Sequence, residues 1–178
     1  MTISNNRHGV VRIVPIEPDD VQAVRMLHKT AWLGIAGAYH STVQNKAHVA
    51  LIESDVYASA LLSNNLLLAR SADGSVLGSA GWCPYDAAHN TARIRKVFVH
   101  PEHAGGGLGR TLVDAAERDA RSAGYTSFYV RANANAEPFY ARLGYRAVKR
   151  GEMDANGTAL PVIFMEKPIP EVSGAQDA

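Results

Sequence analysis

Apolar residues fall into short runs along the chain, separated by polar breaks rich in glycine and proline. "VVRIVPI" is dense in Val and Ile and predicts a strand. "EPDDVQAVRMLHKTAW" predicts a helix. Pro18 suits its first turn, Asp19 and Asp20 complement the helix dipole, and Val21, Val24 and Leu27/His28 recur at helical spacing. "AHVALIESDVYASALLSNN" predicts a second helical region ending near Asn64 and Asn65. "NLLLARSADGSVLGSAGW" reads as two short strands joined by a turn at Ala72-Asp73-Gly74-Ser75. "ARIRKVFVHP" is the next strand, closed by Pro101.

A helix over "LGRTLVDAAERDARSAG" places Leu108, Leu112, Ala115/Ala116 and Ala120 on one face, with Gly124 as its C-terminal stop. "YTSFYVRA" predicts a strand. "NAEPFYARLG" predicts a short helix that Asn135 could cap, with Pro138 in its first turn and Gly144 ending it. "YRAVKRG" and "LPVIFMEKPI" are two final strands around the turn-rich "EMDANGTA". This order predicts one α/β (α+β) domain with a single central sheet of about seven strands. Residues 9–168 form the domain, between frayed tails at 1–8 and 169–178.

Composition narrows the function classes. The chain has 178 residues, 47% hydrophobic and 20% charged, as in an ordinary globular protein. A net charge of +1 gives no global field for nucleic acid or an anionic membrane, so neither is an expected partner. No apolar run approaches the roughly 20 residues of a membrane span. The start "MTISNNRHG" lacks the order of a secretory signal, so the expected setting is cytoplasmic. Cys83 is the only cysteine, which rules out an internal disulfide and a Cys-based zinc cluster. His100 and His103 have no Cys or carboxylate at metal spacing, so no metal site is expected.

The stretch "FVHPEHAGGGLGRTL" concentrates Gly105, Gly106, Gly107 and Gly109 between a strand and a helix. It fails the Walker A template because Arg110-Thr111, not Lys-Ser/Thr, follows Gly109. It also fails G-x-G-x-x-G, whose last position falls on Arg110 or Leu112. Unpaired N–H groups at a helix start still favour an anion, and glycines let it approach the backbone closely. A plain flexible turn is the alternative.

"VHPEHAGGGLGRTL" resembles the pyrophosphate-binding motif of the GNAT superfamily of acetyl-CoA-dependent N-acetyltransferases. Asn133, Ala136, Phe139, Tyr140, Gly144 and Tyr145 in "NANAEPFYARLGY" match the same family's second signature, and "LPVIFMEKPI" resembles its closing strand. The resemblance runs from Val10 to Pro168 and is sharp from Ala92 onward. It implies a mostly antiparallel mixed sheet splayed in the middle, with helices on both faces and the acetyl-CoA thioester in the gap. It assigns Ala104, Gly105, Gly106, Gly107, Leu108, Gly109 and Arg110 to the pyrophosphate. Phe98 and Val99 would lie beside the pantetheine arm, and Asn133 would hydrogen-bond it. Tyr140 becomes the general acid. Core packing explains Phe98 and Val99 equally well, a turn or cap explains Asn133, and an apolar pair explains Phe139-Tyr140.

The implied reaction is direct attack of a small-molecule primary amine on acetyl-CoA in a ternary complex. A protein or peptide acceptor, or a non-catalytic acyl-CoA sensor, is the alternative, and a homodimer stays open. Two departures from the family pattern stand out. Ala104, Gly105 and Gly106 replace side chains that usually help hold the cofactor, and Arg93, Arg95 or Arg142 could compensate. Arg93 and Arg95 also occupy the strand that carries a glutamate base in many relatives. That leaves Glu53, Asp86, His89 or a water chain to take the amine proton. Trp32, Tyr39 and His40 either line an acceptor pocket or pack in the core.

Overall fold

The computed structural model describes residues 2–6 and 9–168, so the expected tail at 169–178 lies outside the described residues. The elements are β1 (Thr2–Asn6), β2 (Gly9–Pro15), α1 (Val21–Ala31), α2 (Thr42–Glu53), α3 (Asp55–Leu62), β3 (Asn65–Arg70), β4 (Val76–Asp86) and β5 (Thr91–Val99). They continue as α4 (Leu108–Ser122), β6 (Ser127–Ala132), α5 (Glu137–Arg142), β7 (Arg146–Ala155) and β8 (Thr158–Pro168). The sheet has eight strands in the order β1-β2-β3-β4-β5-β6-β8-β7. The extra strand, β1, pairs antiparallel with β2, where the sequence suggests a frayed tail. "TISNN" has no apolar alternation, and its pairing rests on the backbone.

Two other local readings change. The second helical region is two helices, because the Ser54 side chain accepts the Tyr57 N–H and starts α3 afresh. The turn in "EMDANGTA" shrinks to Asn156-Gly157, both at positive φ, so β7 and β8 run longer than expected.

Alternation along β5 and β6 sorts the faces. Ala92, Ile94, Phe128 and Val130 join the core beneath α4, with Leu108, Leu112, Val113 and Ala116. The other face of the sheet carries a second core of Val24, Trp32, Ile52, Tyr57, Leu61, Leu66 and Leu68 under α1–α3. Helices therefore cover both faces. Buried Glu117 fastens α4 to the far strands: it accepts from the Tyr145 hydroxyl (2.9 Å) and pairs with Lys167 (2.7 Å) and Arg121 (2.9 Å).

Every strand pair is antiparallel except β5–β6, which is parallel and joined only over Thr91–Arg93 and Ser127–Tyr129. Beyond Arg93 the two strands separate, which is the expected splay. A bulge in β5 adds to it, since Lys96 and Val97 together oppose Ala80 of β4. Lys96 takes φ 56°, an unusual value for a residue other than glycine.

Candidate active site

A polar chain buried under α1 fixes the bulge. The Lys96 carbonyl can only accept, so Ser79 Oγ–H donates to it at 2.7 Å. Ser79 Oγ then accepts from His28 Nε2–H (2.7 Å), and His28 Nδ1 accepts from the Tyr57 hydroxyl (2.8 Å). This order sets the neutral tautomer of His28. Complete burial, with Lys96 and His48 nearby, lowers its pKa well below the usual imidazole value. Phe98 stacks on the same ring at 4.1 Å.

Two cavities open where β5 and β6 part. One, of about 450 Å³, lies against the glycine stretch and is lined by Val97, Val99, Ala104, Gly105, Gly107, Gly109, Arg110, Asn135, Phe139, Tyr140 and Arg142, among others. The amides of Gly105 through Arg110 have no acceptor among the described residues, and no side chain caps α4. Gly105 and Gly107 hold φ 77° and 87°, which side-chain-bearing residues rarely adopt, and a Cβ at either would meet open space. A Cβ at Gly109 would touch Phe139 at 3.4 Å. A row of free amides at a helix start, walled by glycine, fits a pyrophosphate. Arg142 and Arg110 border this cavity and can supply the charge that Ala104, Gly105 and Gly106 do not.

The second cavity, of about 290 Å³, lies toward α1–α3. Its walls include Trp32, His48, Tyr57, Arg93, Arg95, Lys96, Phe98, Arg131, Asn133 and Tyr140. Lys96 Nζ sits 3.0 Å from the centre of the Tyr57 ring. Burial, with Arg95 and Arg93 beside it, lowers its pKa to about 6. Burial first, then Lys96 and His40, lower His48 to about 4. His48 stacks on Trp32 at 3.7 Å, and the Trp32 indole N–H donates to Asn45 Oδ1 at 2.9 Å.

Tyr140 borders both cavities, as do Val97 and Ala136. Its phenol is buried, forms no hydrogen bond among the described residues, and has its pKa raised by burial alone. Phe139 and Tyr145 pack edge-on against its ring, at 5.0 and 5.5 Å.

The other sequence candidates divide. Val99, Ala104, Gly105, Gly107, Gly109 and Arg110 line the larger cavity; Phe98 and Asn133 line the smaller. Leu108 is buried in the core and leaves only its amide toward the loop, and Gly106 lines neither cavity. Trp32 both packs in the core and borders the smaller cavity, whereas Tyr39 is exposed and borders neither. The three side chains considered as bases lie outside both cavities. Glu53 pairs with Lys29 at 2.5 Å, and Asp86 pairs with His89 at 2.8 Å on the β4–β5 turn. Among the described residues no three His, Cys, Asp or Glu side chains are grouped to hold a metal. None of the described helices is long and apolar enough to cross a membrane.

Sequence reasoning missed Lys96, His48 and Asn135. Asn135 lies inside a short turn before α5 instead of capping it, because Ala136 holds the cap position. Its buried Oδ1 has no hydrogen-bond partner among the described residues, and the residue borders the larger cavity. Period-two alternation along β5 would have paired Arg93 with Arg95 on one face, but no local signal marks the bulge at Lys96.

Residues 30–145 match the model of the acetyltransferase (GNAT) family. An IAA acetyltransferase of Azospirillum brasilense is 30% identical over 99 residues, 54% of this chain and 63% of its own. An acetyltransferase-named protein of Bacillus subtilis (strain 168) is 30% identical over 78 residues, 44% of this chain and 51% of its own. The chain thus spans less than two thirds of the curated relatives it matches. A GCN5-related N-acetyltransferase structure from Rhodopseudomonas palustris superposes with TM-score 0.80 at 26% identity, covering 95% of this chain and 99% of that one. Salmonella typhimurium yncA, solved with its cofactor acetyl-CoA, gives TM-score 0.61 at 26% identity over 94% and 98% of the two chains. The motifs, the splayed sheet and the extent of the family match together show that this chain belongs to the GNAT acetyltransferase family.

Proposed function

We propose that the chain is an N-acetyltransferase that moves an acetyl group from acetyl-CoA to a primary amine of a small molecule within one ternary complex. The observation that carries this reading is the position of Tyr140 in the wall shared by two abutting cavities, one rich in free amides and one rich in side chains. Bound acetyl-CoA supplies an activated acyl carbon for the amine to attack. The amides of Gly105–Arg110 would hold its phosphates with Arg110 and Arg142, and Asn135 and Val99 would flank the arm. The smaller cavity is of a size for a compact acceptor, at the low end of the roughly 300–1,000 Å³ of small-molecule sites. The names of the acetyltransferase relatives agree with an acyl-transfer role.

Tyr140 serves as general acid to the leaving thiolate. Burial holds the phenol in its proton-bearing form, and the same dry surroundings make a thiolate released beside it more basic. Lys96 and His48, both neutral near pH 7, are the cavity side chains with a lone pair for the amine proton, directly or through water. The test is thiol release from acetyl-CoA with a panel of small amines, polyamines, aminoglycosides and peptides. Amine-dependent release with a small member of the panel is expected. Acetyl-CoA binding without release on any amine would make the chain a binding module instead.

A further inference from the structure

The smaller cavity has an unbalanced charge. Arg93 and Arg95 of β5 and Arg131 of β6 line it beside the neutral amine of Lys96, and no Asp or Glu does among the described residues. None of the four forms an ion pair with a carboxylate among the described residues. Arg95 donates to Asn64 Oδ1 at 3.1 Å and to Cys83 Sγ, and Arg131 donates to the Tyr129 hydroxyl at 3.3 Å. None of these three partners is a carboxylate. Arg93 Nε and Arg95 Nε are buried without an acceptor among the described residues. Like charges packed this closely disfavour one another; burial first, then Arg131 and Arg95, lower the pKa of Arg93 to about 10. A protein retains such a cluster most readily where a ligand brings the missing negative charge.

Acetyl-CoA cannot be that ligand throughout. Its phosphates belong to the glycine loop, in the other cavity, and the neutral pantetheine arm separates them from the thioester. An anion among Arg93, Arg95 and Arg131 must therefore come with the acceptor.

We propose that the acceptor is a small amine carrying its own anionic group, an amino acid or aminophosphonate, whose carboxylate or phosphonate binds Arg93, Arg95 and Arg131 while its amine faces Tyr140. The assignment rests on the acetyltransferase reading and narrows its substrate class. Planar guanidinium forks match a carboxylate or phosphonate with paired hydrogen bonds. The same cluster repels polyamines and aminoglycosides, whose extra cations would have to enter a site without a carboxylate.

The test compares matched pairs that differ only in the anion. L-phenylalanine is set against 2-phenylethylamine and L-phenylalanine amide, and L-methionine against 3-(methylthio)propylamine. Aminomethylphosphonate against glycine separates phosphonate from carboxylate preference. Acetyl-CoA-dependent thiol release should favour the acidic member of each carboxylate pair by about tenfold or more in kcat/KM. Arg93→Met should erase that ratio, leave the KM for acetyl-CoA unchanged and not lower the melting temperature, since it removes one of several crowded cations. Arg93→Lys should restore part of the ratio. Equal or better turnover of the uncharged-tail amines would overturn the proposal while leaving the acetyltransferase reading intact. If no amine is acetylated, that reading fails, and calorimetry on coenzyme A-loaded protein decides the inference. Tighter binding of L-phenylalanine than of 2-phenylethylamine supports it, and the reverse order, or no binding of either, overturns it.

Discussion

On one side of Tyr140 the cavity wall includes a glycine loop: Gly105, Gly107 and Gly109 line it, in a stretch whose amides from Gly105 to Arg110 have no acceptor among the described residues. On the other side it is side chain: Trp32, His48 of α2, Tyr57 of α3, and Arg93, Arg95 and Arg131 of β5 and β6. The first design suits a ligand whose binding part never changes, since a backbone recognises phosphate whatever the neighbouring residues. The second suits a ligand recognised by particular side chains, two of which, Trp32 and Tyr57, also belong to the core.

The largest expected effect falls on the shared residue. Tyr140→Phe should lower kcat by about a hundred- to ten-thousandfold, the range for losing a positioned proton donor, with the KM for acetyl-CoA unchanged in steady-state assays. Unchanged kcat would remove Tyr140 from the chemistry. Next comes the main-chain side. Gly107→Val forces a β-branched residue to φ 87° and should weaken acetyl-CoA binding by about a hundredfold or more, read by calorimetry, as loop amides turn away from the phosphates. Binding by a folded variant at wild-type strength would show that the loop is not the phosphate site.

The side-chain half should respond to Ser79→Ala. This change leaves the Lys96 carbonyl and His28 Nε2–H without their partner and should cost about 1–3 kcal/mol of stability in denaturant titration. Acceptor KM should rise more than the KM for acetyl-CoA, because the bulge borders the acceptor cavity. An equal rise in both would erase the distinction between the two halves.

The effect that should touch catalysis least is a pH slope in stability. Lys96 binds its proton only below about pH 6 when folded but up to about 10.4 when unfolded, so the unfolded chain holds more protons between these values. Stability should therefore rise with pH from about 6 toward 10 through this group. His48 adds a rise between about 4 and 6.5. Lys96→Met should flatten the upper part of the profile in melting curves, and a profile identical to wild type would show that Lys96 is solvated. The groups that set this behaviour face Lys96 from every side: Arg93 and Arg95 on β5, Arg131 on β6, His28 on α1, His48 on α2 and Tyr57 on α3.

The same contrast explains what the sequence revealed. The glycine loop was legible because Gly105, Gly107 and Gly109 stand together in the sequence, and Gly105 and Gly107 take the positive φ that glycine allows. Seven of the strands followed from runs such as "VVRIVPI" and "YTSFYVRA", whose apolar residues pack beneath helices. β1 carries no such run and pairs through its backbone. Ser54 was hidden inside an apolar region that read as continuous, although its side chain restarts the helix. The wall of the smaller cavity was not legible, because His48, Tyr57, Lys96 and Arg131 come from four separate elements and meet only through packing. Glu53, Asp86 and His89 lie outside both cavities and pair with Lys29 or with one another at the surface.

The division of labour across Tyr140 is tested most directly by backbone amide NMR during titration with coenzyme A, followed by an acidic amine such as L-phenylalanine. Coenzyme A should move the amides of Gly105–Arg110 and Val99, leaving those of His48 and Tyr57 in place until the amine is added. Coenzyme A shifts centred on Arg93, Arg95 and His48, with the glycine loop silent, would contradict the account.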